Sequence, residues 1–215
     1  MIHSGSRAMG QAVKEHHVAK ATIRSAGMMA LDAETPDGQA YLHDQEWGRH
    51  FARANRQAMA GQVIDIMQSL FKVEPIEALT IACDHNHVSR EEHLGQLLLV
   101  HRKGAMAADD GSPGVIPGSM GTLSYHVEGR GCAASLRSSA HGAGRLFSRS
   151  AAREQFNRTD LRRQMQGVWF DPRLSESLRE ESPKSYKDVR SVMRAQGELV
   201  KIVRTLRPLL VYKGG

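Results

Sequence analysis

Trp47, Phe51, Ala54, Ala58, Val63, Ile66, Met67 and Leu70 recur every three or four residues. A strand would scatter residues at that spacing over both faces, whereas a helix of 3.6 residues per turn gathers them into one stripe. The pattern predicts one long amphipathic helix, ending near Phe71, whose apolar stripe faces a core. Arg49, Arg53 and Arg56 fall on or beside its polar side. Two readings fit them, a solvated face or contact with an RNA backbone.

The rest of the chain is read around that helix. From about Arg7 the pattern is helical, with Met9, Val13, His17 and Ile23 near one face. Residues 31–38 read as a polar connection with Pro36-Asp37-Gly38 as its turn. Residues 78–82 (Ala-Leu-Thr-Ile-Ala) and 96–103 (Gln-Leu-Leu-Leu-Val-His-Arg-Lys) read as buried strands. Leu123, Tyr125 and Val127 alternate with polar residues as a half-buried strand, entered through a turn at Pro117-Gly118-Ser119. A basic helical region runs through Arg163, and residues 167–181 are irregular. A last helix opens at Tyr186-Lys187-Asp188 and carries Val189, Val192, Met193, Leu199, Val203 and Leu206. Pro208 ends it, and a terminal strand delivers Lys213 next to Gly214-Gly215. With no internal repeat and no low-complexity linker, residues 1–215 are expected to form one α+β domain.

The chemistry concentrates at Ser138-Ser139-Ala140-His141-Gly142-Ala143-Gly144-Arg145. Glycines let a backbone fold closely, so that successive N–H groups point at an anion, and the start of a following helix adds more. A phosphate there would lie within reach of the His141 imidazole, which can serve as nucleophile or acid/base. A second cluster is Cys83-Asp84-His85-Asn86-His87. In extended backbone Cys83, His85 and His87 would share a face able to hold a transition metal, or they belong to an ordinary polar loop.

Composition narrows the setting. A net charge of +6 over 215 residues favours a polyanionic partner such as nucleic acid. Two cysteines make no disulfide framework, and with ten methionines and no leader they point to a reducing cytoplasm. No apolar run approaches a membrane span.

Four segments taken together are similar to the RtcB family of RNA-splicing ligases, closest to its bacterial members. They are His85-Asn86 with Arg90-Glu91-Glu92-His93, then Arg102-Lys103-Gly104-Ala105, Ile116-Pro117-Gly118-Ser119-Met120-Gly121, and His141-Gly142-Ala143-Gly144-Arg145 with Ser148-Arg149. His3-Ser4-Gly5-Ser6-Arg7 and the ending from Tyr186 to Lys213-Gly214 resemble it too. The resemblance implies an RtcB-like fold with a mainly antiparallel core flanked by two long helices. It implies joining of RNA ends, tRNA halves or broken RNAs, bearing a 3′-phosphate or 2′,3′-cyclic phosphate to 5′-hydroxyl ends, with GTP and Mn²⁺. By position His141 is the histidine that takes the guanylyl group. The resemblance puts nucleotide contacts at His85, Asn86, Pro117, Gly118, Ser119, Met120, Ser124, His141, Gly142, Ala143, Gly144, Tyr186 and Lys213. It makes His3 and His85 metal ligands and leaves Cys83 and His87 without that role.

Members of the family are about twice this length, and the part without a counterpart here precedes His3. That part carries an aspartate, a cysteine bridging two Mn²⁺ ions and a Gly-Asn-His segment. One metal site would keep only His3 and His85, and two imidazoles hold Mn²⁺ weakly because this ion favours fuller, oxygen-rich shells. The isolated chain is therefore expected not to complete guanylylation. Two further expectations stand beside the ligase. One is a non-catalytic fragment that binds nucleotide or RNA through Arg102, Lys103, Arg145 and Arg149; the other is half of a split ligase completed by a separate N-terminal half.

Overall fold

The computed structural model describes residues 1–25 and 28–213, with backbone alone for residues 23–25. The expected place of the Ile23 side chain and the glycines at 214 and 215 lie outside the described residues. Five helices occur among these residues: α1 (Arg7–Val18), α2 (Pro36–Phe71), α3 (Arg149–Gln155), α4 (Arg158–Gln164) and α5 (Val189–Ala195). The strands are β1 (Thr22–Ser25), β2 (Met28–Ala30), β3 (Asn86–His93), β4 (Gln96–Lys103), β5 (Ala105–Ala107), β6 (Pro113–Ile116), β7 (Ser124–Gly129), β8 (Ser138–Ala140) and β9 (Val200–Leu206). The α+β class agrees with the sequence. The pairs β1–β2, β5–β8, β6–β7 and β7–β9 are antiparallel. Among the described residues the strands of the expected mainly antiparallel core form four small sheets of two or three strands, and of the two long helices expected only α2 is long.

The chain forms two compact bodies, Met1–Glu91 with Leu97–His101, and Glu92–Gln96 with Arg102 onward. In the first, α1 packs on α2 through His17, which is 2% exposed and bonds Asp44 at 2.8 Å. That bond, with a second from His43, holds the Asp44 carboxyl below the usual range. The turn expected at residues 36–38 is the first turn of α2. Thr35 caps it by accepting from Gly38 N at 3.2 Å, and Pro36 takes the first helical position, where its missing N–H costs nothing. The helix ends at Phe71 as expected, closed by Lys72 with φ 54°. Its stripe does not face a core: Val63, Ile66, Leu70 and Phe71 are all exposed, and only Gly38, Gly48 and Ala52 are buried along it. Residues 78–82 are not a strand. A 3-10 turn at Glu77–Leu79 leads into irregular, largely exposed backbone.

In the second body the core is Met120, Leu161, Met165 and Leu178, flanked by Val168, Phe170, Leu174 and Val211. The β6–β7–β9 sheet adds Ile116, Tyr125, Val127 and Val200, all buried, and Tyr125 and Val127 take the inward positions read from the sequence. The last helix is cut short. It stops at Ala195, and Val200–Leu206 is strand β9 against β7. The reason is local: Gln196-Gly197 interrupts the helix, and Val-Lys-Ile-Val-Arg-Thr-Leu is rich in β-branched residues that fit a pleated edge. The terminal strand reduces to an isolated parallel bridge of Leu210 with Trp169. β4 has the expected limits but is half exposed, with Val100 and Arg102 its buried members.

Candidate functional site

Strands β5 and β8 decide where His141 lies. Ala105 pairs with Ala140, so Gly104, just before β5, comes beside His141, just after β8. A Cβ on Gly104 would lie 3.4 Å from His141 Cε1, and φ there is +69°. Only glycine holds that backbone cheaply, so residue 104 forms a close wall against the imidazole.

The loop after His141 is fastened on both sides. Ala143 N–H donates to Pro117 O at 3.0 Å, and a Cβ on Gly142 would sit 3.2 Å from the same oxygen. On the other side Lys187 N–H donates to Gly144 O at 3.0 Å, Leu146 N–H donates to Ser185 O at 2.8 Å, and Arg145 bridges to Tyr186. Gly144 allows the turn with φ +73°. The glycine cradle is thus partly occupied, because the Ala143 amide is committed to Pro117. The helix expected immediately after the loop starts only at Arg149, its entry capped by Ser148 Oγ accepting from Ala151 N. Its dipole does not begin at the loop's end.

The Pro117 turn is held by hydroxyls. Ser119 N–H donates to Thr122 Oγ1 at 2.7 Å and Gly118 N–H donates to Ser124 Oγ at 3.3 Å. A Cβ on Gly118 would meet Leu123 O at 2.2 Å. Ser124 is buried, and the Met120 side chain belongs to the core. Pro117, Gly118, Ser119, Gly142, Ala143, Gly144 and Tyr186 are brought together with His141 in the second body.

A carboxylate that the sequence reading did not single out adjoins Tyr186 and Arg145. Glu181 Oε2 accepts from Tyr186 Oη at 2.5 Å and from Lys213 Nζ at 2.6 Å, and Arg145 Nη1 approaches Oε1 at 3.4 Å. Arg145 Nη1 also donates to Tyr186 Oη at 3.0 Å. Burial pushes the Glu181 carboxyl up, but the Lys213 and Tyr186 hydrogen bonds and the nearby cations outweigh it and hold it below the usual range. Burial first, then the Glu181 bond and charge, pushes the Tyr186 phenol up to about 12, so it remains a donor at neutral pH. The sequence signal available was the acidic pair Glu180-Glu181 set among arginines before Ser182-Pro183.

The arginines expected to meet RNA are mostly engaged. Arg102 is 3% exposed and donates to Ser138 Oγ and Leu136 O. Arg145 is spent on Phe147 O, Glu180 O and Glu181, and Arg149 pairs with Glu180. A surface patch built on Arg102 and Arg145 is therefore not present.

In the first body His3 and His85 meet, 82 residues apart in sequence. Their Nε2 atoms are 2.9 Å apart and their rings stack with centroids at 5.0 Å. That separation is a hydrogen-bond distance, and it is also near the roughly 3.0 Å between two nitrogens each about 2.1 Å from one ion at a right angle. Among the described residues no group of three or more His, Cys, Asp or Glu is gathered for a metal, which corrects the Cys83, His85, His87 triad. The pair is set by α2. Arg56 donates to Ser4 O at 3.2 Å and to Asp84 Oδ1 at 2.6 Å, Arg49 reaches Asp84 Oδ2, and Asn55 donates to Ser4 Oγ. Arg49 and Arg56 thus hold the neighbours of both histidines rather than forming a bare basic face. Asn86 is exposed and opens β3 next to His85. Cys83 and Cys132 are free thiols, and no described helix is long and apolar enough to cross a membrane.

The profile of the tRNA-splicing ligase RtcB family matches residues 1–214. An RNA-splicing ligase RtcB from Escherichia coli K12 is 36% identical over all of this chain and 55% of its own length. The tRNA-splicing ligases RtcB of Nanoarchaeum equitans and Pyrococcus furiosus are 33% and 32% identical, again over all of this chain, but over 52% and 26% of their own lengths. The chain spans about half the length of the first of these relatives.

Proposed function

Because the chain belongs to the tRNA-splicing ligase RtcB family, we propose that it takes part in GTP-dependent joining of RNA 3′-phosphate or 2′,3′-cyclic phosphate ends to 5′-hydroxyl ends, in the cytoplasm. A neutral His141 imidazole nitrogen attacks the α-phosphorus of GTP. A P–N bond forms at the unprotonated ring nitrogen, the bond to pyrophosphate breaks, and the proton on the other ring nitrogen passes to solvent. The guanylyl group passes to an RNA 3′-phosphate, and a 5′-hydroxyl then displaces GMP. The observation that carries this reading is the fastening of the His141 loop to Pro117 on one side and to Tyr186 and Lys187 on the other, all within the second body, whereas His85 and Asn86 belong to the first. Gly104 confines the imidazole, and Tyr186 and Lys213 offer the nucleotide a phenol oxygen and an ammonium.

Mn²⁺ held by His3 and His85 would supply Lewis-acid charge able to polarise a phosphoryl oxygen. The two imidazoles are a partial shell, so the further ligands come from a polypeptide carrying the rest of the family's length, supplied in the same chain or as a separate half.

The test is the acid-labile GMP adduct formed with GTP and Mn²⁺, read by mass. These 215 residues alone should give none. Co-expression with the part of the Escherichia coli relative that the match leaves uncovered should give an adduct that His141→Ala abolishes. A stoichiometric adduct on the chain alone would show that two imidazoles suffice. An adduct on another residue, or none in either case, would remove His141 from the role.

A further inference from the structure

We propose that Glu181 is the positioning residue of the nucleotide site: its carboxylate fixes the Lys213 ammonium and the Tyr186 hydroxyl in one arrangement toward the ligand. The proposal rests on the reading above that Tyr186 and Lys213 face the nucleotide. Lys213 lies near the end of the described chain, in irregular backbone, where a flexible four-carbon side chain would lose rotamer entropy on meeting a ligand. The 2.6 Å bond to Glu181 Oε2 removes that freedom beforehand. The same oxygen accepts from Tyr186 Oη at 2.5 Å, so the two donors share one anchor.

The geometry also sets which hydrogens remain for a ligand. The Tyr186 hydrogen is given to Glu181, which leaves the phenol oxygen to accept, and it already accepts from Arg145 Nη1 at 3.0 Å. Lys213 spends one of three hydrogens on Glu181 and offers two. Arg145 ties the anchor to the loop, since its backbone bridges to Tyr186 and Gly144 before it accepts from Lys187. Glu181 therefore couples Lys213 to the segment that carries His141. Three cationic or polar donors around one half-buried carboxylate also keep it ionised, as its lowered pKa shows.

The experiment measures GTP affinity of the full chain by calorimetry, with the melting temperature of each variant alongside. Glu181→Gln should weaken GTP binding about tenfold, the scale of one charge-assisted hydrogen-bond arrangement. Glu181→Asp should recover part of the loss. Lys213→Met should weaken binding similarly, and the double variant should lose little more than either single one, because both act through one anchor. Independently of nucleotide, the Lys213 ammonium should give a slowly exchanging NH₃⁺ signal in ¹⁵N-lysine NMR, identified by its absence in Lys213→Met and lost in Glu181→Gln. Additive losses, or a Lys213 signal unchanged in Glu181→Gln, would overturn the positioning role while leaving the nucleotide reading intact. GTP binding indifferent to Lys213→Met, or absent from the unaltered chain, would overturn that reading and this proposal together.

Discussion

The two bodies of the chain use apolar sequence in opposite ways. In the second, Leu161, Ile116 and Val127 are fully buried, and the candidate site is built on that floor through Met120 and the Pro117 turn. In the first, the most regular apolar pattern of the sequence lies along α2 and stays in water, with Leu70 68% exposed and Ile66 55%. What orders the first body's histidines is instead polar: Arg56, Arg49 and Asn55 on α2 grip Ser4 and Asp84, the neighbours of His3 and His85. The contrast teaches that a hydrophobic stripe states a need for burial without meeting it. Hydrogen-bonded clamps can set a pair of side chains where a dry core is lacking.

The largest expected effect sharpens this difference directly. Leu161→Ala should cost about 2–5 kcal/mol, because the transfer energy is lost and a cavity is left in a fully buried site. Leu70→Ala should stay within about 0.5 kcal/mol. Urea unfolding compares the two, and equal losses would mean that the α2 stripe is covered in solution. Next comes the turn under the candidate site. Gly118→Ala drives a methyl to 2.2 Å from Leu123 O and should cost about 1–3 kcal/mol. Circular dichroism melting checks it, and a neutral result would mean that the turn can open.

Arg56→Met tests the polar clamp in the first body. It leaves the part-buried Asp84 with Arg49 alone and should cost about 1–3 kcal/mol. The His3 and His85 imidazole NMR signals should shift while His17 is unmoved; unshifted signals would separate the clamp from the pair. The smallest effect is a pH trend in the second body. Because Glu181 titrates below its ordinary 4.5 in the folded chain, its contribution is complete above that value and fades as pH falls through the lower folded one. The melting temperature of the unaltered chain should exceed that of Glu181→Gln at pH 7, with the gap narrowing below about pH 4.5. A gap that widened in acid would reverse the sign of the coupling.

Local patterns read true where one interaction range decided them. The end of α2 at Phe71, the limits of β4 and the inward Tyr125 and Val127 follow from spacing alone. Errors fell where two local preferences compete. Pro36-Asp37-Gly38 suits a turn and a helix start equally, and Thr35 settled it by capping. Residues 199–206 carry apolar positions that suit a helix, yet β7 offered an open edge and took them as β9. In the site, His141 with its glycines and the Pro117 turn were legible as motifs. Gly104 as the wall of the imidazole, and Glu181 as the anchor of Tyr186 and Lys213, were not.

The sequence by itself determined the helical period of α2, the α+β class, and the residue types able to carry phosphate chemistry, because side-chain spacing and backbone freedom are properties of neighbouring residues. Tertiary structure alone decided that Arg102 is buried and that one carboxylate serves two donors 27 residues apart in the chain (Lys213 and Tyr186). Burial and hydrogen-bond pairing depend on what the folded chain brings within about 3 Å, and spacing along the chain does not encode that distance.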